Sequence, residues 1–438
     1  MIQLGTKRTS LAIIVCLLFS CTASHVTTSE IEKQASSITI PYYPLEDEKD
    51  LNVLISQIGD ARIVLLGEST HGTSEYYQWR SAITKKLIQE KRFDFIGVEG
   101  DWTDSYKVNE FISGPQRDSG AAVKVLEQYD RWPQSMWGNY EMTSLVTWLN
   151  HYNDGRQSNE KVGFYGLDVY SFWKWTSSHT NVADSAIRDA INRVNDTFSR
   201  FNNDALKYSA AVQTSGTDYH EITEDLWRKT QHFTAKYPND QSSFLLEQQA
   251  LLALQGERYF RTMVNNRMQS WNIRDNYMAA TIKRLLNLHG KNSKAIIWVH
   301  NGHAGDAQYS NMGISGYTSV GEILRKEFGR KKIFSTAFGT NKGSVMAGDS
   351  WDAPIRTQTV LPAKAGSWES ILHELTPANK IILSRDIEKN NSLNKWIEFR
   401  SIGASYRGTS GYGRSIIPQR FDAFIFIDST TAVHPIRK

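Results

Sequence analysis

The feature that most constrains this chain is the stretch over residues 61–72, ARIVLLGESTHG. An apolar run ends in a glycine, and Glu68, Ser69, Thr70, His71 and Gly72 follow it. From Ser74 to Lys91 apolar residues then recur at Tyr76, Tyr77, Ile83, Leu87 and Ile88, close to a 3.6-residue period. Buried strand, short polar turn and amphipathic helix form the unit of an open α/β sheet, where chemistry gathers at the carboxyl ends of the strands. Glu68 and His71 sit three apart on that turn and can enter one cleft. A carboxylate beside an imidazole fixes its tautomer and favours its charged form, which suits a general base. Arg80 lies on the second to third turn of the helix, where it either reaches back over the strand end or faces water.

The same pattern recurs. Residues 93–98, FDFIGV, run into Glu99, Gly100, Asp101 and Trp102; residues 161–167, KVGFYGL, run into Asp168. Residues 295–299, AIIWV, run into His300, Asn301, Gly302 and His303. Shorter apolar runs at 333–338, 380–383 and 421–427 read as further strands. Between the third and fourth runs, residues 172–290 are polar and helical, with Arg274 and Asp275 inside one helical stretch. Residues 305–318, rich in Gly, Asn and Ser, read as a candidate lid, and 342–362 as irregular. The expected fold is α/β: a central, mostly parallel sheet with flanking helices and a helical insertion.

The address is read from the first forty residues. Lys7 and Arg8 precede a short apolar run at 11–19, too short to span a bilayer, which is the pattern of a secretory signal over residues 1–20. The sequence around Cys21 resembles a bacterial lipobox, with Cys21 as the lipidated residue; plain signal-peptidase cleavage is the other reading. Residues 21–40 read as a tether and 41–438 as the folded domain. Thr22 after Cys21 gives no reason for inner-membrane retention, so an outer-membrane lipoprotein facing the periplasm is expected. The chain's 2 cysteines are Cys16 and Cys21. The domain therefore has no disulfide, thiol nucleophile or thiolate metal site. Without Lys7 and Arg8, the 50 Lys and Arg against 46 Asp and Glu fall to a balance of about +2, which gives no footprint for nucleic acid. Thirteen Trp and 19 Tyr are enough for an aromatic cleft wall suited to a bulky organic ligand.

Collected at the strand ends, Glu68, His71, Glu99, His300 and His303, with Arg80 and Arg274 as cations, suit hydrolysis. No G-x-S-x-G elbow and no phosphate-cradling glycine loop is present. What remains is water activation: one His takes a proton, carboxylates position it, and an Arg or second His stabilises the oxyanion. The rival reading is a divalent metal, with His71, His300, His303 and Glu68 as ligands. No other cofactor is expected.

GESTHG with Arg80 nine residues past His71, VEGDW at Glu99, Glu141 with Trp148, GLDVYS at 166–171, RDNYMA at 274–279, WVHNGH at 298–303 and FDAFIFIDSTTA near the end resemble the erythromycin esterase family in its order. The resemblance spans about residues 45–433. It implies an α/β core with a helical lobe and a deep cleft, and hydrolysis of a macrolide lactone, with antibiotic resistance as the associated role. It implies His71 as general base, with Glu68, Arg80, Glu99, His300 and His303 completing the catalytic set. Arg274 and Trp102 are expected to bind substrate. The partner is then a small ester or lactone, met by a monomer. The fold is also similar to that of some haem-binding lipoproteins. A non-catalytic envelope binder, with His300 or His303 as axial ligand, is the alternative.

Overall fold

The computed structural model describes residues 40–437 except 172–181, 183, 202–203, 217–218, 238–240 and 409–410. The expected leader, Cys21 and the tether to residue 39 lie outside the described residues. The strands are β1 (Tyr43–Pro44), β2 (Ile63–Leu66), β3 (Phe95–Asp101), β4 (Gly163–Asp168), β5 (Ala295–Trp298), β6 (Ile333–Ala347), β7 (Arg356–Val360), β8 (Lys380–Leu383), β9 (Ile397–Arg400), β10 (Tyr412–Ser415) and β11 (Ala423–Thr430). Nine of them form one sheet in the order β1-β8-β11-β6-β2-β5-β3-β4, with β7 beside β6. From β11 to β4 all neighbours are parallel; β8 runs antiparallel to β11. β2, β3, β4 and β5 are buried at every position. Parallel strands covered on both faces read as continuous apolar runs, which is why these four stand out in the sequence.

The order of the sheet makes the site. β5 lies between β2 and β3, and β4 lies beyond β3, so the four strand ends singled out above are consecutive neighbours. β3 shifts register between Val98 and Asp101, and this irregularity carries Glu99. Between β4 and β5 the chain forms the helices Ser185–Ser199, Ala205–Ser215, His220–Thr234, Gln241–Met263 and Arg267–Leu288. The last of these delivers Arg274 and Asp275 to the strand ends. Among the described residues no helix is long and apolar enough to cross a membrane.

Residues 342–362 are not irregular. β6 continues to Ala347 and the chain returns antiparallel as β7, pairing Gly343 with Val360 and Ala347 with Arg356. Asn341, Lys342 and Ser344 break the apolar run. Val345, Ala347 and Val360 nevertheless point into a small second core with Ile402 and Tyr406. Residues 305–318 contain two short helical turns, Ala307–Tyr309 and Asn311–Ile314. They are fastened to the helix Arg267–Leu288: Trp271 donates its indole N–H to Thr318 O (2.8 Å), and Asn272 donates to Gly316 O (3.0 Å).

Segments distant in the chain hold the His71 turn. The His71 N–H donates to Gly403 O (3.1 Å), and Gly72 O accepts from the N–H groups of Met346 (2.9 Å) and Val433 (3.0 Å). Gly67 is required where β2 meets this turn. A Cβ there would overlap the Asn301 side-chain oxygen and lie 2.8 Å from Thr336 O. Asn301 in turn accepts from Phe338 N–H and donates to Phe338 O (2.8 Å), which stitches the His300 turn to β6. Gly67→Ala is therefore expected to lower stability by about 1–3 kcal/mol in urea unfolding, the usual cost of overpacking. An unchanged urea midpoint would contradict this packing.

Candidate active site

Glu68 joins two partners. Its Oε1 lies 2.8 Å from His71 Nδ1 and its Oε2 accepts from Arg80 Nη2 at 2.6 Å. Arg80 does reach back from its helix. It is fully buried, its guanidinium 4.7 Å from the Tyr77 ring centroid and 4.4 Å from that of Trp298. The arginine pairs with the buried carboxylate, and the carboxylate as acceptor places a proton on His71 Nδ1. Nε2 of His71 is then the basic nitrogen, and the side chain remains 12% exposed.

His300 faces His71, with ring centroids 5.2 Å apart and planes tilted by 56°. It caps the short helix Asn301–Ala304, its Nδ1 accepting from Gly302 N–H at 3.1 Å. An accepting Nδ1 leaves the proton on Nε2, a buried nitrogen that makes no well-aligned hydrogen bond, with the Ser69 backbone favouring its proton. Burial, reinforced by the neighbouring His71 and by His303, pushes the His300 pKa down to about 3, so the ring is neutral near pH 7.

Behind this pair lies an ionic cluster. Glu99 Oε2 accepts the His300 backbone N–H at 2.7 Å, and its Oε1 accepts from Arg274 Nη2 at 2.8 Å. Arg274 also grips Asp168 through Nε (2.9 Å) and Nη2 (2.6 Å). Burial opposes charge on Glu99, but His303 and Arg274 hold it well below the usual carboxylate range. His303 Nδ1 lies 2.8 Å from Asp275 Oδ1, and Trp271 stacks on the ring at 4.3 Å. Its Nε2 lies 3.3 Å from Glu99 Oε1 and 3.0 Å from Arg274 Nη1. Burial opposes the charged ring, yet Asp275 and Glu99 push the His303 pKa up to about 9. Nδ1 of the ring donates to Asp275, while Nε2 lies between the Glu99 carboxylate and the Arg274 guanidinium.

His71, Glu68, Arg80, Glu99, His300 and His303 thus come together, but in two tiers. His71 and His300 form the face of the site, and the rest support it. Arg274, expected to bind substrate, instead neutralises Asp168 and Glu99 and is buried. Trp102 is likewise a core residue, 2% exposed and packed with Tyr106, Tyr165 and Phe244. Two members were missing from the expected set. Asp168 ends a strand as Glu99 does, so the strand-end rule could have included it; Asp275 carries no such mark. Among the described residues, no three His, Cys, Asp or Glu side chains are grouped to hold one metal ion. Glu68 uses both oxygens, and His303 both nitrogens, on protein partners.

Fold and site together define an α/β protein with a histidine–carboxylate centre at its strand ends. The family model for erythromycin esterase matches residues 88–430, and the chain belongs to that family. Glu68, His71 and Arg80 precede the matched stretch. Erythromycin esterase type II of Escherichia coli is 25% identical over 127 residues, 29% of this chain and 28% of that protein's length. The match therefore spans little more than a quarter of that curated relative. “Putative hydrolase YbfO” of Bacillus subtilis (strain 168) is 21% identical over 96% of both chains. Among solved structures, a succinoglycan biosynthesis protein superposes with a TM-score of 0.73 at 19% identity, over 93% of this chain and 99% of that one. A mutant of the erythromycin esterase EreC in its open conformation gives 0.58 at 16% identity, over 90% and 98%. These structural likenesses are of fold. Family membership and the hydrolase relative support hydrolase activity.

The cluster makes a pH dependence. A ring whose pKa rises from 6.5 to about 9 on folding stabilises the fold fully below about 6.5, and this contribution fades as pH climbs towards 9. Asp275→Asn removes one of the two acids responsible. It should lower the thermal midpoint at pH 7 and flatten its decline between pH 7 and 9. An unchanged alkaline slope would assign the decline to another group.

Proposed function

We propose that this protein hydrolyses a carboxylic ester, with the lactone of an erythromycin-type macrolide as the leading substrate, using water activated by His71. His71 Nε2 takes a proton from water as the oxygen attacks the ester carbonyl carbon. The oxyanion that forms is met by the Nε2–H of His300. When the tetrahedral intermediate collapses, the C–O bond to the alcohol breaks and the proton held by His71 passes to the departing oxygen. The products are a carboxylic acid and an alcohol; in a lactone both stay on one opened ring. Glu68 stabilises the imidazolium during the cycle, and Arg80 holds Glu68. A neutral imidazole suits the electrophilic role, because it donates without competing for the water's proton.

The observation that carries this reading is the complementary pair of tautomers: Glu68 fixes a basic Nε2 on one ring, and Gly302 fixes a donor Nε2 on the facing ring. The macrolide is drawn from the family and the curated esterases it matches in part. Export and lipidation at Cys21 belong to the same proposal and rest on the leader sequence alone.

Purified protein should open erythromycin to a product one water heavier by mass spectrometry, with or without prior exhaustive chelation. His71→Ala should lower kcat about 10²–10⁴-fold, the usual loss for a general base. Absence of ring opening would remove the macrolide. Full turnover by His71→Ala on any ester would remove the mechanism, and loss of turnover on chelation would restore the metal reading.

A further inference from the structure

We propose that Glu369 is a positioning residue for the His71 turn, acting through the main chain of residues 400–403, and that a charge on its carboxyl loosens that turn. The contacts hold whatever the reaction; the kinetic consequence rests on the ester-hydrolase reading.

The contacts pass from residue to residue without a gap. Glu369 lies in the first turn of the helix Trp368–Leu375 and is fully buried. Its Oε1 accepts the backbone N–H of Arg400, the last residue of β9, at 2.9 Å. Just beyond, the N–H groups of Ile402 (2.6 Å) and Gly403 (3.2 Å) both donate to Ser69 O, and Gly403 O accepts the His71 N–H at 3.1 Å. Residues 400–403 are thus a splint, fixed at one end by the carboxyl and bonded at the other to the turn. Ser69 is also held from the helix Ser74–Lys91, its Oγ 2.8 Å from the Tyr76 hydroxyl. The Ser69 backbone faces the His300 imidazole as well, so both rings of the site depend on where residue 69 sits.

The surroundings of Glu369 favour a neutral carboxyl. Its Oε2 is buried and makes no well-aligned hydrogen bond. Its Oε1 sits against β6, where a Cβ on Gly339 would come within 3.4 Å of it. A carboxylate removed from water needs several donors to keep its charge. The Arg400 N–H, the Glu369 N–H and the Ser367 hydroxyl are the donors present. The Arg400 guanidinium, also buried, is committed elsewhere: Nη1 to Thr340 O and Asn341 O, Nη2 to Leu361 O, and Nε to the Tyr412 hydroxyl of β10. Burial accordingly pushes the Glu369 pKa up to about 7, against the pull of Arg400. The other ionisable groups of the packed elements have their own partners. His373 pairs with Asp428 of β11, Glu374 accepts from Ser370, Glu398 of β9 pairs with Lys364, and Lys380 of β8 donates to Leu372 O and Thr376 O.

An ionised Glu369 attracts the two strong donors that face it, the Arg400 guanidinium and the Tyr76 hydroxyl. The first would leave the β6 carbonyls and turn the end of β9; the second would leave Ser69. Either movement reaches the Ser69 carbonyl and the His71 N–H. The sign follows from a carboxyl whose pKa is raised from 4.5 to about 7 in the folded chain. Opening the splint returns the carboxyl to water, so opening becomes easier as pH rises from about 4.5 to about 7 and levels off above that. The closed protein loses its neutral carboxyl above about 7, whereas His303 acts later, towards 9.

Hydrogen exchange of the full chain, followed by mass spectrometry and corrected for intrinsic rates, tests the linkage without any substrate. In wild type, residues 69–73 and 400–404 should open roughly ten- to hundredfold more readily at pH 8 than at pH 5. Glu369→Gln should abolish that trend, and Glu369→Ala should leave both segments open at either pH. Exchange that ignores pH in wild type, a rise shared equally by every segment, or a wild-type trend in Glu369→Gln overturns the proposal. With p-nitrophenyl acetate, wild-type kcat should fall with a midpoint near pH 7, steepening to about tenfold per pH unit, with KM unchanged. Glu369→Gln should keep the wild-type kcat at pH 6 and move the fall towards pH 9. A fall left in place by Glu369→Gln also overturns the proposal. If the wild type cleaves no acetate at any pH, that counts against the hydrolase reading, and exchange alone decides the role of Glu369.

Discussion

The Arg274 ion cluster is the joint on which the site depends. Its guanidinium comes from a helix of the insertion, whereas its two acids, Asp168 and Glu99, come from the ends of β4 and β3. All three groups are removed from water. Burying an ion costs several kcal/mol unless geometry and hydrogen bonds compensate, and removing one partner of such a set costs about 3–5 kcal/mol. The helical lobe and the sheet are therefore locked at the line where the candidate site's groups emerge. Glu99 passes this constraint on: one oxygen is held by the arginine, and the other fixes the backbone of His300.

How much of this was legible in the sequence follows from what each element buries. β2, β3, β4 and β5 are covered on both faces, so their residues are apolar throughout, and the position of a strand end can be read directly. β6 beyond Phe338, β7 and the hairpin of β9 and β10 are partly solvated. Their polar residues hid them, because an alternating pattern interrupted by Gly339 and Gly343 resembles loop. Strand ends likewise revealed Glu99, His300 and His303, and the turn revealed Glu68 and His71. Arg80 was ambiguous because a helix position alone does not say whether a long side chain turns inward. Asp275 was hidden because its role depends on a helix meeting His303 from across the fold. Trp102 follows Asp101 immediately, yet that nearness says nothing of direction: its ring turns away into an aromatic core.

The family gives a scaffold and a class of reaction; the chain's own residues narrow it. The two facing imidazoles differ in tautomer because their Nδ1 partners differ, a carboxylate for His71 and a backbone N–H for His300. The proposed division into base and donor rests on that asymmetry rather than on the number of histidines.

The turn that bears His71 is fastened by Met346, Gly403 and Val433, all hundreds of positions downstream. Most of the chain must be synthesised before its earliest signature can take shape. Such a long-range closure is intrinsically slow to form. It also makes the His71 turn a reporter of wholeness: a nascent or proteolysed polypeptide carries GESTHG in its covalent structure but lacks the clasp that orients it.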